Sequence, residues 1–223
     1  MRCAKCHQKE ATIHFRTVVD GAEEIIVLTV SAAMSGDYQS ALNAAKISPV
    51  PVHVVDSKGP TMSLGWQTLA AARSVAEGLD SETVLQWVDQ VRQNLAQFVA
   101  MDTMEYLQRG GRLGSAVKWV GTLMNIKPLV QINHKTGLVE AVSIARTHRS
   151  LVEMLYQKFF EKMKPGGRLH IAVLHGNVPE EAKALAERIQ AEYHPEELLI
   201  NLTGPVLGIN TGPRALALAG YWE

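Results

Sequence analysis

The chain has 223 residues, 47% of them hydrophobic and 20% charged, which is material for one large core or two smaller ones. Its 22 basic residues balance 22 acidic ones, so no global field gathers a polyanion; nucleic acid is disfavoured as the main partner, and any anion must be held locally. No window approaches the roughly eighteen consecutive apolar residues of a membrane span, and the opening MRCAKCHQKEATIHF lacks the apolar core of a signal peptide, so the cytoplasm is the expected compartment.

In chain order, EEIIVLTV (23–30) reads as a buried strand, followed by the loop SAAMSGD and an alanine-rich helix from Tyr38 to Lys46. PVPVHVVDS (49–57) is a second strand ending in a polar turn. LGWQTLAAARSVAEGL and, beyond the capping box DSETV, VLQWVDQVRQNLAQ carry apolar residues at helical spacing. FVAMD (98–102) is a third strand, TMEYLQRGG a short helix stopped by glycine, and VKWVGTLMN another amphipathic helix. IKPLVQINHKTGLVEAVSIAR is a hairpin turning at Lys135 to Gly137.

Thr147 to Met163 is helical, RLHIAVLHG is a strand, PEEAKALAERIQAEY is a helix with Pro179 in its first turn, and ELLINLTG is a further strand. PVLGINTGPRALALAGYWE closes the chain. Strands alternating with helices predict an α/β protein with mainly parallel sheets, and the hairpin predicts a mixed sheet in the second half. The expected division is 1–22, 23–100 and 101–223.

Ligands of open parallel sheets sit beyond the carboxyl ends of the strands, so the loops there are the candidates. In VSAAMSGDYQSA, Ser31, Ser35 and Gly36 read either as an N-cap and turn or as an anion cradle of hydroxyls and backbone N–H groups. In QRGGRLG the glycines permit a tight turn and Arg112 offers a planar guanidinium for a carboxylate or phosphate; the plainer reading is a glycine cap and an exposed arginine. Arg109 is expected to stay at the surface. GPVLGINTGP (204–213) reads as a loop too irregular for a helix, carrying Asn210 and Thr211, and it lacks the lysine of a P-loop.

Cys3 and Cys6, with His7 and His14 nearby, form half of a zinc site. Zinc is expected there only if His14 and a further ligand complete the shell; otherwise the segment is an unoccupied knuckle. The sequence has no HExxH pair, no nucleophile elbow and no paired carboxylates flanking a loop, so no acid-base catalysis is advertised.

LTVSAAMSGDYQSALNAA, MDTMEYLQRGGRLGSAVKWVGTLMNIKPLVQI and GPVLGINTGP, in this order and at these separations, resemble the DegV family of bacterial fatty-acid-binding proteins. The resemblance covers about residues 23 to 220. It implies two α/β lobes enclosing a long-chain fatty acid, with no catalysis by the chain itself: the bound acid's carboxylate is presented to a fatty-acid kinase. It would place Ser31 by that carboxylate and Arg112 in the surrounding polar network. A buried carboxylate needs such donors to stay ionised, and about fourteen buried methylenes would contribute roughly 11 kcal/mol gross.

The sequence also departs from the family pattern. The N-terminal lobe looks truncated, with a start resembling the zinc-finger activator of protein-arginine kinase; this implies a fusion or shortened chain and a tendency to form a homodimer. Asn210 stands where the family has histidine, Arg214 where it has glycine, and Ala32 where it has a second serine. The alternatives to a lipid carrier are an interaction module that has lost lipid binding, and an enzyme acting on a phosphorylated small molecule.

Overall fold

The structure, a computed structural model, describes residues 21–119, 126–163 and 166–223. It divides into two compact units: Met1–Gln93 with His134–Gly137, and Asn94–Asn133 with Leu138–Glu223. The division between the units falls ahead of the third strand.

The first unit contains β1 (Ile25–Thr29), α1 (Asp37–Ala45), β2 (Val52–Asp56), α2 (Met62–Ala76) and α3 (Ser81–Asn94). β1 and β2 pair in parallel, with Ile25 opposite Val52 and Thr29 opposite Asp56. Alternation along the strands sends side chains to both faces. Val27, Val52 and Val54 pack on Ala41 and Ala44 of α1, whereas Ile26, Leu28 and Val55 pack on Ala71, Val84 and Val88 of α2 and α3. The expected cap of α3 is present: the Thr83 N–H donates to Asp80 Oδ1 at 2.8 Å.

The second unit contains β3 (Ala96–Ala100), α4 (Glu105–Gly110), a 3-10 helix (Gly114–Trp119), β4 (Lys127–Asn133), β5 (Leu138–Ala145), α5 (His148–Lys162), β6 (Leu169–His175), α6 (Pro179–Tyr193), β7 (Glu197–Leu202), α7 (Pro205–Thr211) and β8 (Leu216–Trp222). Its six strands run in the order β5-β4-β3-β8-β6-β7. The expected hairpin is β4 and β5, and the sheet is mixed as expected.

Two expectations are corrected here. Among the described residues only β6 and β7 pair in parallel in this sheet, because β8 inserts between β3 and β6 antiparallel to both. GPVLGINTGP is not simply a loop. Pro205 sits in the first turn of α7, where a missing N–H costs no helical bond, and Gly212, at φ 76°, ends the helix by donating to the Gly208 carbonyl at 2.8 Å. The helix expected over VKWVGTLMN corresponds to the 3-10 turn as far as Trp119; residues 120–125 lie outside the described residues.

One face of the sheet carries the largest core, in which Phe98, Leu129, Ile171, Val173, Leu216 and Leu218 meet α5 and α6. Phe159 of α5 is fully buried and packs edge-on to Phe98, with ring centroids 6.3 Å apart, and to Phe160 at 5.1 Å. Phe159→Ala is expected to cost about 3–5 kcal/mol. The measurement is urea unfolding, where the midpoint falls and the slope is unchanged.

Candidate functional site

Beyond β1 the chain folds tightly around Ser31, which is fully buried. Its N–H donates to the Gly59 carbonyl at 3.3 Å, and its carbonyl accepts from Met34 at 2.9 Å and Ser35 at 3.1 Å. The hydroxyl donates to the Gly137 carbonyl at 2.7 Å and accepts from the Ala33 N–H at 3.3 Å. Ser35 is half-buried, and Gly36 forms the N-cap of α1, its carbonyl accepting from Ser40 at 3.0 Å. The structure thus brings Ser31, Ser35 and Gly36 into one turn. Gly36 caps α1 through its backbone alone, so an N-cap and a turn are both present, with Ser31 buried inside the turn.

The loop after β2 lies directly against this turn. Asp56 Oδ1 accepts from the N–H groups of Ala32 at 3.1 Å and Lys58 at 2.9 Å, while Oδ2 pairs with Lys58 Nζ at 2.8 Å. Burial pushes the Asp56 carboxyl up, but the Lys58 ammonium and the two N–H donors outweigh burial and hold it below its usual value. Lys58, at φ 56°, and Thr61, at φ 51°, adopt backbone angles that non-glycine residues rarely take. Such angles persist only where surrounding bonds over-determine the loop.

Several of those bonds come from residues that sequence reading left out. Ser57 Oγ donates to the Gly59 carbonyl at 2.8 Å, and Gln67 Nε2 donates to the carbonyls of Ser57 at 2.9 Å and Ser63 at 2.8 Å. Ser63 Oγ lies 2.8 Å from His134 Nε2. Ser31, Ser57, Ser63 and Gln67 are all fully buried, and Gln67 Oε1 has no partner among the described residues. The serine and glycine content of DSKGPTMSLG was a signal for Ser57 and Ser63. Nothing local marked Gln67 or His134.

In the second unit, Arg112 follows Gly111, which caps α4 at φ 70°, and Arg112 Nη1 donates to the Gly110 carbonyl at 2.5 Å. Asn210 Nδ2 donates to the Val206 carbonyl at 2.9 Å, and Thr211 Oγ1 to the Leu207 carbonyl at 3.2 Å. Asn210 Oδ1 lies where a Cβ on Gly110 would stand, so the end of α4 and α7 approach closely. Arg112 and Asn210 are neighbours through Gly110. Arg109, as expected, is exposed and pairs with Glu105 at 2.5 Å.

Arg214 takes φ 59° and reaches Glu181 Oε1 at 3.3 Å, with its Nε 3.8 Å from Asp102 Oδ2. Asp102 also meets Lys127 Nζ and His148 Nδ1, each at 2.8 Å. The bulk of Arg214 is therefore directed into a charge network. Cys3, Cys6, His7 and His14 lie outside the described residues. Among the described residues no group of three or more His, Cys, Asp or Glu could hold a metal ion, and no helix is long and apolar enough to cross a membrane.

The family model described as "Uncharacterised protein, DegV family" matches residues 5–222. The chain belongs to the DegV family. A DegV domain-containing protein of Deinococcus radiodurans is 32% identical over 209 residues, covering 92% of this chain and 72% of that protein. One from Streptomyces coelicolor is 32% identical over 214 residues, covering 93% and 73%. A solved structure of a DegV family protein from Thermus thermophilus, described by its fatty acid binding, matches with a TM-score of 0.90 at 30% identity, covering 97% of this chain and 77% of that one. DegV of Bacillus subtilis, a fatty acid binding protein, matches at 0.88 with 24% identity, covering 97% and 77%, a likeness of fold.

The DegV match begins inside the 1–22 segment for which the zinc-finger fragment is expected. Within this DegV chain, Asp56 is the group whose charge holds the two strand-end loops together. Its carboxyl is depressed in the folded state, so its contribution is complete above the ordinary carboxylate range and disappears as pH falls through the lower folded value. Asp56→Asn is expected to lose about 1–2 kcal/mol at pH 7. Thermal melts from pH 7 downward check this: the gap from wild type closes below about pH 4.

Proposed function

We propose that this DegV-family protein binds a long-chain fatty acid and carries it in the cytoplasm to a fatty-acid kinase, which phosphorylates the presented carboxylate. The candidate carboxylate contacts are Ser31, Ser35, Gly36, Arg112, Asn210 and Thr211. The chain is a carrier and the chemistry belongs to the partner. As a carrier it needs no cofactor, and a homodimer remains compatible with the role.

The observation that carries the reading is the likeness to the fatty-acid-binding Thermus thermophilus protein, at 30% identity over 97% of this chain. The chemistry of the first unit supports it. A carboxylate removed from water needs hydroxyl and N–H donors in fixed positions, and Ser31 offers a hydroxyl fixed by burial in a loop held from several sides. The acyl tail contributes affinity by apolar burial, while the polar head fixes orientation.

Lipid extraction and native mass spectrometry of protein purified from bacteria test the reading. One fatty acid per chain is expected, and palmitate or oleate should bind the delipidated protein. Ser31→Ala and Arg112→Ala should each weaken that binding roughly ten- to hundredfold, the range for a lost charge-assisted hydrogen bond. Zinc bound in stoichiometric amount, with no lipid recovered and no palmitate bound, would replace the carrier reading with that of an interaction module.

A further inference from the structure

The turn at residues 134–137, between β4 and β5, reaches Ser31 and Ser63 at once. Gly137 is buried, and its carbonyl takes the hydroxyl proton of Ser31 at 2.7 Å. At φ 74° it has no room for a side chain: an added Cβ would collide with Ser31 Oγ and lie 3.4 Å from Lys58 Cδ. At the start of the same turn, His134 Nε2 meets Ser63 Oγ at 2.8 Å. Two contacts from two ends of one turn therefore close over the loops that follow β1 and β2.

A serine hydroxyl has one proton to donate. Ser31 gives it to Gly137, and the Ala33 N–H already occupies part of its acceptor capacity. An ionised carboxylate only accepts, so it can use Ser31 solely through that same proton. The seated turn and a bound carboxylate are therefore competitors.

From this we infer that the 134–137 turn is a gate on the Ser31 site, latched by Gly137 on Ser31 and by His134 on Ser63, and unseated when a carboxylate ligand takes the Ser31 proton. The inference rests on the fatty-acid reading given above. Its consequence is a cost built into binding: the intrinsic affinity is reduced by the fraction of molecules with the turn released. Loosening the latch raises that fraction without adding any contact to the ligand.

The experiment is palmitate binding to delipidated wild type, Ser31→Ala, Gly137→Ala, His134→Ala and the double variant Ser31→Ala with Gly137→Ala, together with hydrogen exchange of wild type with and without palmitate. Gly137→Ala, which cannot seat the turn, and His134→Ala, which loses one latch point, should each bind about three- to thirtyfold tighter than wild type. In the Ser31→Ala background, Gly137→Ala should give no such gain, because the competing proton is gone. Palmitate should speed amide exchange across residues 134–138 in the wild type.

If wild type binds no palmitate, the fatty-acid reading falls and the gate with it. If wild type binds and Ser31→Ala weakens binding, but the turn variants bind equally or more weakly and exchange at 134–138 is unchanged or slowed, the gate alone is overturned. Should Gly137→Ala fail to fold, His134→Ala and the wild-type exchange data decide.

Discussion

Ser31, Ser57, Ser63 and Gln67 are buried together, and a buried polar group without a partner costs on the order of 1–3 kcal/mol. The first unit is arranged around that demand. Ser31 is met by Gly59 and Gly137, Ser57 by Thr29 and Gly59, and Ser63 by His134, while the Gln67 amide spans the carbonyls of Ser57 and Ser63. Because Gln67 Nε2 donates to both carbonyls, reversing its amide would set an oxygen against two oxygens, so its orientation is fixed. The strained angles at Lys58 and Thr61 follow from the same demand: the loop bends to bring its carbonyls and N–H groups to these partners.

The second unit solves a different problem. Its sheet buries β6 along its whole length and nearly all of β8, so polar residues are pushed to the strand ends. There Asp102, after β3, meets Lys127 at the start of β4 and His148 at the start of α5, and His148 lies 2.5 Å from Glu181 in the first turn of α6. Burial raises the Asp102 carboxyl, yet Lys127 and His148 more than offset it and hold the group ionised below its usual range. Lys127 and His148 are the first residues of β4 and α5, so the network ties the starts of those two elements to the loop after β3. Arg214 joins the same carboxylates, which gives its unusual backbone angle a compensating interaction.

Much of this was legible in the sequence because it is local. β-branched runs gave β1 and β2, Asp80 marked the start of α3, and Lys135 to Gly137 marked the hairpin turn. The placement of β8 was not legible, since pairing with β3 and β6 joins segments more than forty residues apart. α7 reads as a loop for a local reason: Gly204, Gly208 and Gly212 are loop-like in composition, although Pro205 and Gly212 serve as its start and stop. Ser31 was visible as a serine in a strand-to-helix loop. Gln67 and His134 were not, because the circuit they complete is assembled from three separate stretches of chain.

The adjacent glycines of QRGGRLG illustrate how one short stretch can meet two requirements. Gly111 takes φ 70° and ends α4 with its N–H on the Gln108 carbonyl, a conformational role. Gly110 has a steric role, for Asn210 Oδ1 occupies the space a side chain there would need. The residue at 210 is thereby coupled to the one at 110. Asparagine meets the constraint by turning its Nδ2 back to Val206, one helical turn away, which a side chain of different shape would have to do differently. Ala32 faces no such constraint, since it contributes only a backbone N–H to Asp56. Alanine at 32 thus keeps the loop's main-chain bond to Asp56, and asparagine at 210 sets what stands beside Gly110.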